Sequence, residues 1–459
     1  MEGSGNWHID AILVEVAAAQ RGHERHRRTH AQGRPQFGLL PVCRSLESQG
    51  GGAKFLLRPH CECGRDLAAF RDDQRRIGAP GDLEVLGAFS TNYHLGMISG
   101  TSIDGVDAVL AEIGDTDFRI VDANTTPFPP DLHTRLRKLV EKPQTSLREL
   151  GALDVAVGRF FAECALRLIA SSGLRSEDVA AIGSHGQTVY HEPLGPEPFS
   201  LQLGDPNVIA AMTRTTTVAD FRRLDVALGG QGAPLVPAFH AWRFGHPREQ
   251  RVVVNIGGIA NITVLAPGRE VTGFDTGPGN TLLDVWIRAS TQQPYDDGGR
   301  WAASGVVNRA LLDVCLAEPF FGARPPKSTG RELFNREWLD ARLARGTGGI
   351  SAVDVQATLA ELTATTIAAA IRNELPGCRE VIVCGGGVHN DDLMARLGRL
   401  TATRVTTTDS HGVPADWVEG AAFAWLARAR LQCLAGNVPT VTGARRPAIL
   451  GGVYWGRTP

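Results

Sequence analysis

The sequence predicts an α/β protein, and three observations carry that prediction. From His94 to the C-terminus, strand-like apolar runs alternate with amphipathic helical stretches, the order expected of sheets covered by helices. Two runs come as β-turn-β units, at 94–113 and 251–265. Many of the 53 glycines, more than average usage predicts, cluster directly after apolar runs.

In chain order, "YHLGMISGTSIDGVDAVLAEIG" reads as two strands joined by "SGTSIDG". Helical spacing follows around "LHTRLRKLVEK" and over "LDVAVGRFFAECALRLIASSG", whose apolar positions fit one buried face. "VAAIGSHGQTVYH" is expected to be a strand followed by a polar loop. "RVVVNIGGIANITVL" repeats the strand, glycine turn and strand. "EVTGFDTGPGN" predicts a strand that ends in the Asp275 motif, and "TLLDVWIRAS" restarts as a helix. "VQATLAELTATTIAAAIRNEL" is helical, "EVIVCGGGVHNDDLMARLGRL" is strand, triple glycine and helix, and "WVEGAAFAWLARARLQCL" is a last long helix. The two β-turn-β units fit the openings of two halves of a duplicated, two-lobed protein; by pattern alone, two unrelated hairpins fit as well.

Residues 1–90 differ. "RGHERHRRTHAQGRPQ" is basic and low in apolar content, so this region is expected to be a poorly ordered extension or the product of a start chosen too far upstream. "AILVEVAAA" carries Glu15 and makes a poor secretory segment. A net charge of −2 argues against a nucleic-acid binder, and no apolar run approaches membrane-spanning length. The eight scattered cysteines suggest neither a disulfide framework nor a zinc site. The pair in "HCECG" has no second ligand pair. Reduced thiols and a cytoplasmic location are the expectation.

Chemistry concentrates in the turns. "SGTSIDG" offers hydroxyls, backbone amides and Asp104, a mix that suits phosphate oxygens and a hydrated Mg²⁺; any surface turn can also look like this. "CGGGVHN" lets backbone approach a flat ligand closely. Two familiar nucleotide motifs fail: Asn390 occupies the last glycine position of a dinucleotide fingerprint, and Lys327 the second glycine of a P-loop. His185, Gln187, Asp220, Arg222, Arg223 and Asp225 lie near loops and suit a sugar carrying hydroxyl and carboxylate groups, or pair among themselves. Asp275, among glycines, reads equally as a turn former or as a base with room for substrate.

Taken together, "GMISGTSIDGVDAVL", "SHGQTVYHEP", "VADFRRLDVALGGQGAPLVPAFH", "NIGGIANIT", "GFDTGPGN", "KSTGRELFN", "DVQATLAELTA", "VCGGGVHN" and "GVPADWVEGAAFAWLA" closely resemble the anhydro-N-acetylmuramic acid kinase family, from about Tyr93 to the C-terminus. The resemblance implies a two-lobed actin-like ATPase fold of the sugar kinase/Hsp70/actin type, with an interlobe cleft. The expected division is 91–222 with 437–459 as one lobe and 223–436 as the other. It also implies ATP and Mg²⁺ as cofactors and a peptidoglycan-recycling reaction that opens 1,6-anhydro-N-acetylmuramic acid and phosphorylates O6. Asp275 then corresponds to the catalytic carboxylate. Gly100, Thr101, Ser102, Ile103, Asp104, Gly105, Val106 and Asp107 correspond to the ATP-phosphate segment, joined by Gly257, Gly258, Gly385, Gly386 and Gly387. His185, Gln187, Arg223 and Glu419 are the sugar-side candidates, and no direct protein ligand to a metal is expected. The expected partners are ATP and the small-molecule sugar, with a homodimer as a candidate assembly and neither nucleic acid nor membrane. One departure stands out: where the family pattern has Tyr-Asp-x-Asp-Gly, this chain has Tyr295, Asp296, Asp297, Gly298 and Gly299.

Overall fold

The computed structural model describes residues 92–457 apart from 101, 326 and 346–348. The expected extension over 1–90, with its "HCECG" pair, and Thr101 lie outside the described residues.

Two β-sheets organise these residues. The first contains β1 (Tyr93–Ser99), β2 (Gly105–Ile113), β3 (Phe118–Pro127), β4 (Val179–Glu192), β5 (Phe199–Leu203), β6 (Thr217–Ala219) and, from the far end of the chain, β12 (Gly452–Tyr454). Its order is β12-β6-β4-β1-β2-β3, with β5 also on β4. The second contains β7 (Arg251–Ile256), β8 (Ile259–Leu265), β9 (Thr272–Pro278), β10 (Glu380–Cys384) and β11 (Arg404–Thr407), in the order β11-β10-β7-β8-β9. Each sheet opens with three consecutive antiparallel strands and then adds two parallel strands beside the first. Parallel strands need crossovers long enough to hold a helix, and that is where the long helices fall. The same order twice over is the duplicated α/β plan of the actin-like fold. The two β-turn-β units are the hairpins β1–β2 and β7–β8.

The helix Leu147–Ser171 packs in the core cluster on the outer face of the first sheet. The helix Ala352–Glu374, capped by the Ser351 side chain on the Asp354 amide, packs in that of the second. Between the sheets one apolar cluster joins Val109, Ala181 and Val218 of the first to Val253 and Ile382 of the second, through Phe239 and Phe423. Phe423 belongs to the helix Val418–Leu431, which lies across β1, β2 and β4. It lies so close that a Cβ on Gly96 would sit 1.9 Å from the Gly420 carbonyl oxygen, and one on Gly183 2.0 Å from that of Phe423. The expected division counts this helix with the second lobe; its close packing is on the first sheet. Among the described residues no helix is long and apolar enough to cross a membrane.

Two local expectations change. β4 continues through the stretch expected to be a polar loop, because Ser184 and Gln187 have strand partners in β6, β5 and β1. Asp275 sits in the middle of β9, not at its end, because β8 keeps pairing beyond it: Asn261 opposes Asp275 and Ile259 opposes Pro278.

The close approach of helix to sheet predicts that Gly183→Val lowers unfolding stability by about 3 kcal/mol or more, through overpacking against backbone that cannot move aside. Gly151→Ala, on the exposed face of a helix with nothing within 4 Å of the added carbon, is expected to raise it by about 0.5–1 kcal/mol. Thermal unfolding of the two variants checks the pair.

Candidate active site

The glycine turns meet at the open end of the second sheet. Cys384, Asn255, Asn261 and Asp275 are successive cross-strand partners on β10, β7, β8 and β9, and directly opposed residues share a sheet face. The first three line a cavity of about 260 Å³, closed from the other side by Asp107, Asp416 and Glu419. A second cavity, of about 490 Å³, is lined by Asn280, Asp284, Asp296, Gly298, His389 and Asn390. Gly386 lines both, so the two are contiguous. A larger hollow, about 960 Å³ around Arg175, Arg214, Trp455 and Arg457, is an open surface at the β12 edge and carries none of the motif residues.

The triple glycine is shaped by its neighbours. A Cβ on Gly387 would lie 2.4 Å from Ile256 Cβ, whereas one on Gly386 meets nothing within 4 Å. Gly387 is therefore demanded by packing, and Gly386 leaves free space facing both cavities. In the β7–β8 turn, the Gly258 carbonyl accepts from the Gly279 and Thr281 amides and that of Gly257 from Asn280. Carbonyls directed toward 279–281 leave the turn's own amides out of these bonds, a geometry suited to an anion.

On the first sheet, the β1–β2 turn leads into Gly105, Val106 and Asp107 at the start of β2. Ile103 closes it through its amide on the Gly100 carbonyl, at 3.2 Å, with φ +60° and its side chain buried. A β-branched residue in that region costs about 1–2 kcal/mol, so the turn is held by its surroundings. Gln187 supplies part of the hold. Fully buried, it accepts from Ser99 Oγ at 2.5 Å and donates to the Gly100 carbonyl at 3.3 Å. Asp107 accepts from Thr125 at 2.6 Å; burial pushes its carboxyl up, and the nearby Asp416 and Asp104 charges add to the push.

Asp275 accepts from the Thr329 amide at 3.0 Å, and its own amide donates to the Lys327 carbonyl at 3.3 Å. Burial pushes its carboxyl up to about 6; the Thr329 hydrogen bond opposes this, Glu332 adds to it and Lys327 opposes it. Glu419 opens to water in the cavity but is ringed by protein. Burial raises its carboxyl, Arg222 draws it back, and Asp107 raises it again.

The remaining sugar-side candidates occupy different positions. His185 is buried, with Nδ1 toward the Gly186 carbonyl at 2.9 Å and Nε2 receiving Arg222 Nε at 2.9 Å. Both ring nitrogens are engaged, so it supports Arg222, which also donates to the Gly232 carbonyl at 2.7 Å. Arg223 is exposed and pairs with Asp220 at 2.7 Å. Asp225 is fully buried and accepts from the Gly232 amide, Asn437 and Thr442, a structural role. Where the family pattern has a second acid, Gly298 adopts φ +66°; Asp296 instead caps the amides of Trp301 and Ala302, and Asp297 pairs with Arg300. Sequence reasoning did not select Asn255, Asn261 or Asp416. The first two were accessible to it, since "NIGGIAN" places them symmetrically about the turn. Among the described residues no group of three His, Cys, Asp or Glu side chains is placed to hold a metal ion.

A sequence profile described as anhydro-N-acetylmuramic acid kinase matches residues 92–456. Among solved structures, the chain is similar to a ROK family glucokinase from Streptomyces griseus in complex with glucose and AMPPNP, at 14% identity over 73% of this chain and 99% of that one, TM-score 0.33. It is also similar to a xylulose kinase from Rhodospirillum rubrum, at 11% identity over 73% and 90%, TM-score 0.38. A third is the activator of the 2-hydroxyisocaproyl-CoA dehydratase from Clostridium difficile with bound ADPNP, at 12% identity over 73% and 94%, TM-score 0.39. Likeness at this level says nothing about substrate.

The raised Asp275 carboxyl sets a pH signature. A folded-state value near 6 lies above the ordinary 3.8, so the folded protein resists ionisation, and this stabilising contribution is full below about pH 4 and lost as pH rises through 6. Asp275→Asn should therefore be more stable than wild type at pH 8 by about 1–2 kcal/mol after allowance for solvent access, with no gain at pH 4. Thermal melts at the two pH values test it.

Proposed function

Because the chain belongs to the anhydro-N-acetylmuramic acid kinase family, and is a sugar kinase by that membership, we propose that it converts 1,6-anhydro-N-acetylmuramic acid, ATP and water to N-acetylmuramic acid 6-phosphate and ADP. The observation that carries the proposal is the strand row ending in Asp275, with a carboxyl raised to about 6 beside a cavity edged by glycine turns of the second sheet and by Asp107 of the first.

In this reading the ATP phosphates lie between the Gly100–Asp107 turn and the Gly257–Gly258 turn, and the nucleoside occupies the contiguous cavity beyond Gly386. Mg²⁺ bound with ATP would offset phosphate charge. Asp275 takes a proton from water, and the water oxygen bonds to C1 of the sugar. The C1–O6 bond breaks, O6 bonds to the γ-phosphorus, and ADP leaves. The proton on Asp275 then passes to solvent. A base whose pKa sits just below neutrality is ionised at pH 7 yet basic enough to help, worth on the order of 10²–10⁴ in rate; positioning and phosphate neutralisation supply the rest.

Glu419, with Arg222 behind it, is proposed to face the sugar. His185 and Gln187 are proposed to act indirectly, through Arg222 and through the phosphate turn. Arg223 reaches substrate only by leaving Asp220. The product suits a place in peptidoglycan recycling and a cytoplasmic site of action.

Purified protein given ATP, Mg²⁺ and the anhydro sugar is expected to release the ring-opened 6-phosphate, with turnover falling as pH drops through about 6. Asp275→Asn should lower kcat by on the order of 10²-fold or more. An inactive wild type overturns the proposal. A fully active Asp275→Asn overturns only the assignment of the base.

A further inference from the structure

The segment after Lys327 does more than hold Asp275. Its Thr329 amide binds the Asp275 carboxylate, and two residues later Arg331 reaches back over the β7–β8 turn. A Cβ placed on Gly258 would lie 3.4 Å from Arg331 Nη2, 3.6 Å from its Nε and 2.8 Å from Thr281 Oγ1. The Thr281 hydroxyl is buried and has no partner among the described residues. The later arginines of this region are spent on ion pairs, Arg336 with Asp340 and Arg342 with Glu318; Arg331 makes none among the described residues. A planar cation and an unused hydroxyl thus lie over a glycine turn whose carbonyls are directed away. One short loop fixes the acid on one side and presents the guanidinium on the other.

We propose that Arg331 is a phosphate-contacting residue of this site, its guanidinium placed to neutralise the transferring γ-phosphoryl group above the Gly257–Gly258 turn. The inference rests on the kinase reading above for the identity of the anion. The rival role is a structural ion pair with Asp284, which feels the Arg331 charge. Burial nevertheless pushes the Asp284 carboxyl up to about 6, with Arg288 opposing before Arg331, so Arg331 is not committed to that acid. Guanidinium suits the task because its fork matches phosphate oxygens, which a lysine ammonium does not reproduce.

The test uses the full chain and two readouts. Arg331→Ala and Arg331→Gln should lower kcat on the anhydro sugar by on the order of 10³-fold, the lower end of the range for an arginine acting on a transferred phosphoryl group. Arg331→Lys should recover only a small part, and added guanidinium ion should restore turnover to Arg331→Ala. Binding of AMPPNP and ADP, by calorimetry, should show that wild type prefers AMPPNP and that both neutral variants lose the preference while keeping ADP affinity. Variants that keep kcat within about threefold and keep the preference, or lose only thermal stability, overturn the inference. If wild type turns over no anhydro sugar but Arg331 still sets the AMPPNP preference, the substrate assignment falls and the phosphate contact stands.

Discussion

The close seating of the helix Val418–Leu431 on β1 and β4 is the constraint on which the rest depends. Gly96 and Gly183 remove the two side chains that would hold the helix away from the sheet, and Phe423 then enters the cluster that joins both sheets. That depth sets where the helix begins. Glu419, in its first turn, faces the cavity, and Asp416, just before it, lies close enough for its charge to act on Asp107. A helix standing a side chain further out would carry both acids out of the cleft.

The opposite wall is built by a different rule. Cross-strand pairing fixes Asn255, Asn261 and Asp275 in one line, so backbone ladders place the residue, and the loop after Lys327 then binds its carboxylate. The cost is electrostatic. Asp275 is held by a single backbone amide and lies close to Glu332, so its charge is poorly compensated and its affinity for a proton rises. Structural carboxylates of the same chain show the contrast. Glu361 is buried but receives Arg396 and Arg399 at 2.9 and 2.7 Å, and its carboxyl is held low. Poorly compensated burial of a carboxylate is commoner at functional sites than in structural ion pairs, which supports the role proposed for Asp275.

The sequence carried a good part of this. Glycine turns after apolar runs placed both hairpins, and alternating periodicities set the α/β class. The ordered motifs pointed to the family. What it could not show was long-range partnership. "SHGQTVYH" looks like a loop by composition and becomes strand because β5 and β6, separate in sequence, supply partners. His185 and Gln187 look like ligand-facing polar residues, yet each spends its hydrogen bonds inside the protein. Asp225 and the Arg223–Asp220 pair likewise turn inward or toward each other. No periodicity in "KSTGRELFN" announces that Thr329 reaches Asp275 while Arg331 reaches Gly258. Those contacts arise only when the segment folds back over β9.

The central claim is that one carboxylate directs water to the sugar's C1 while O6 takes the phosphoryl group. The most direct measurement is turnover in water enriched in heavy oxygen, with mass spectrometry of the sugar phosphate. The account predicts one heavy oxygen in the C1 hydroxyl of the product and none in its phosphate. Label in phosphate released from ATP, or a product without label at C1, would contradict it.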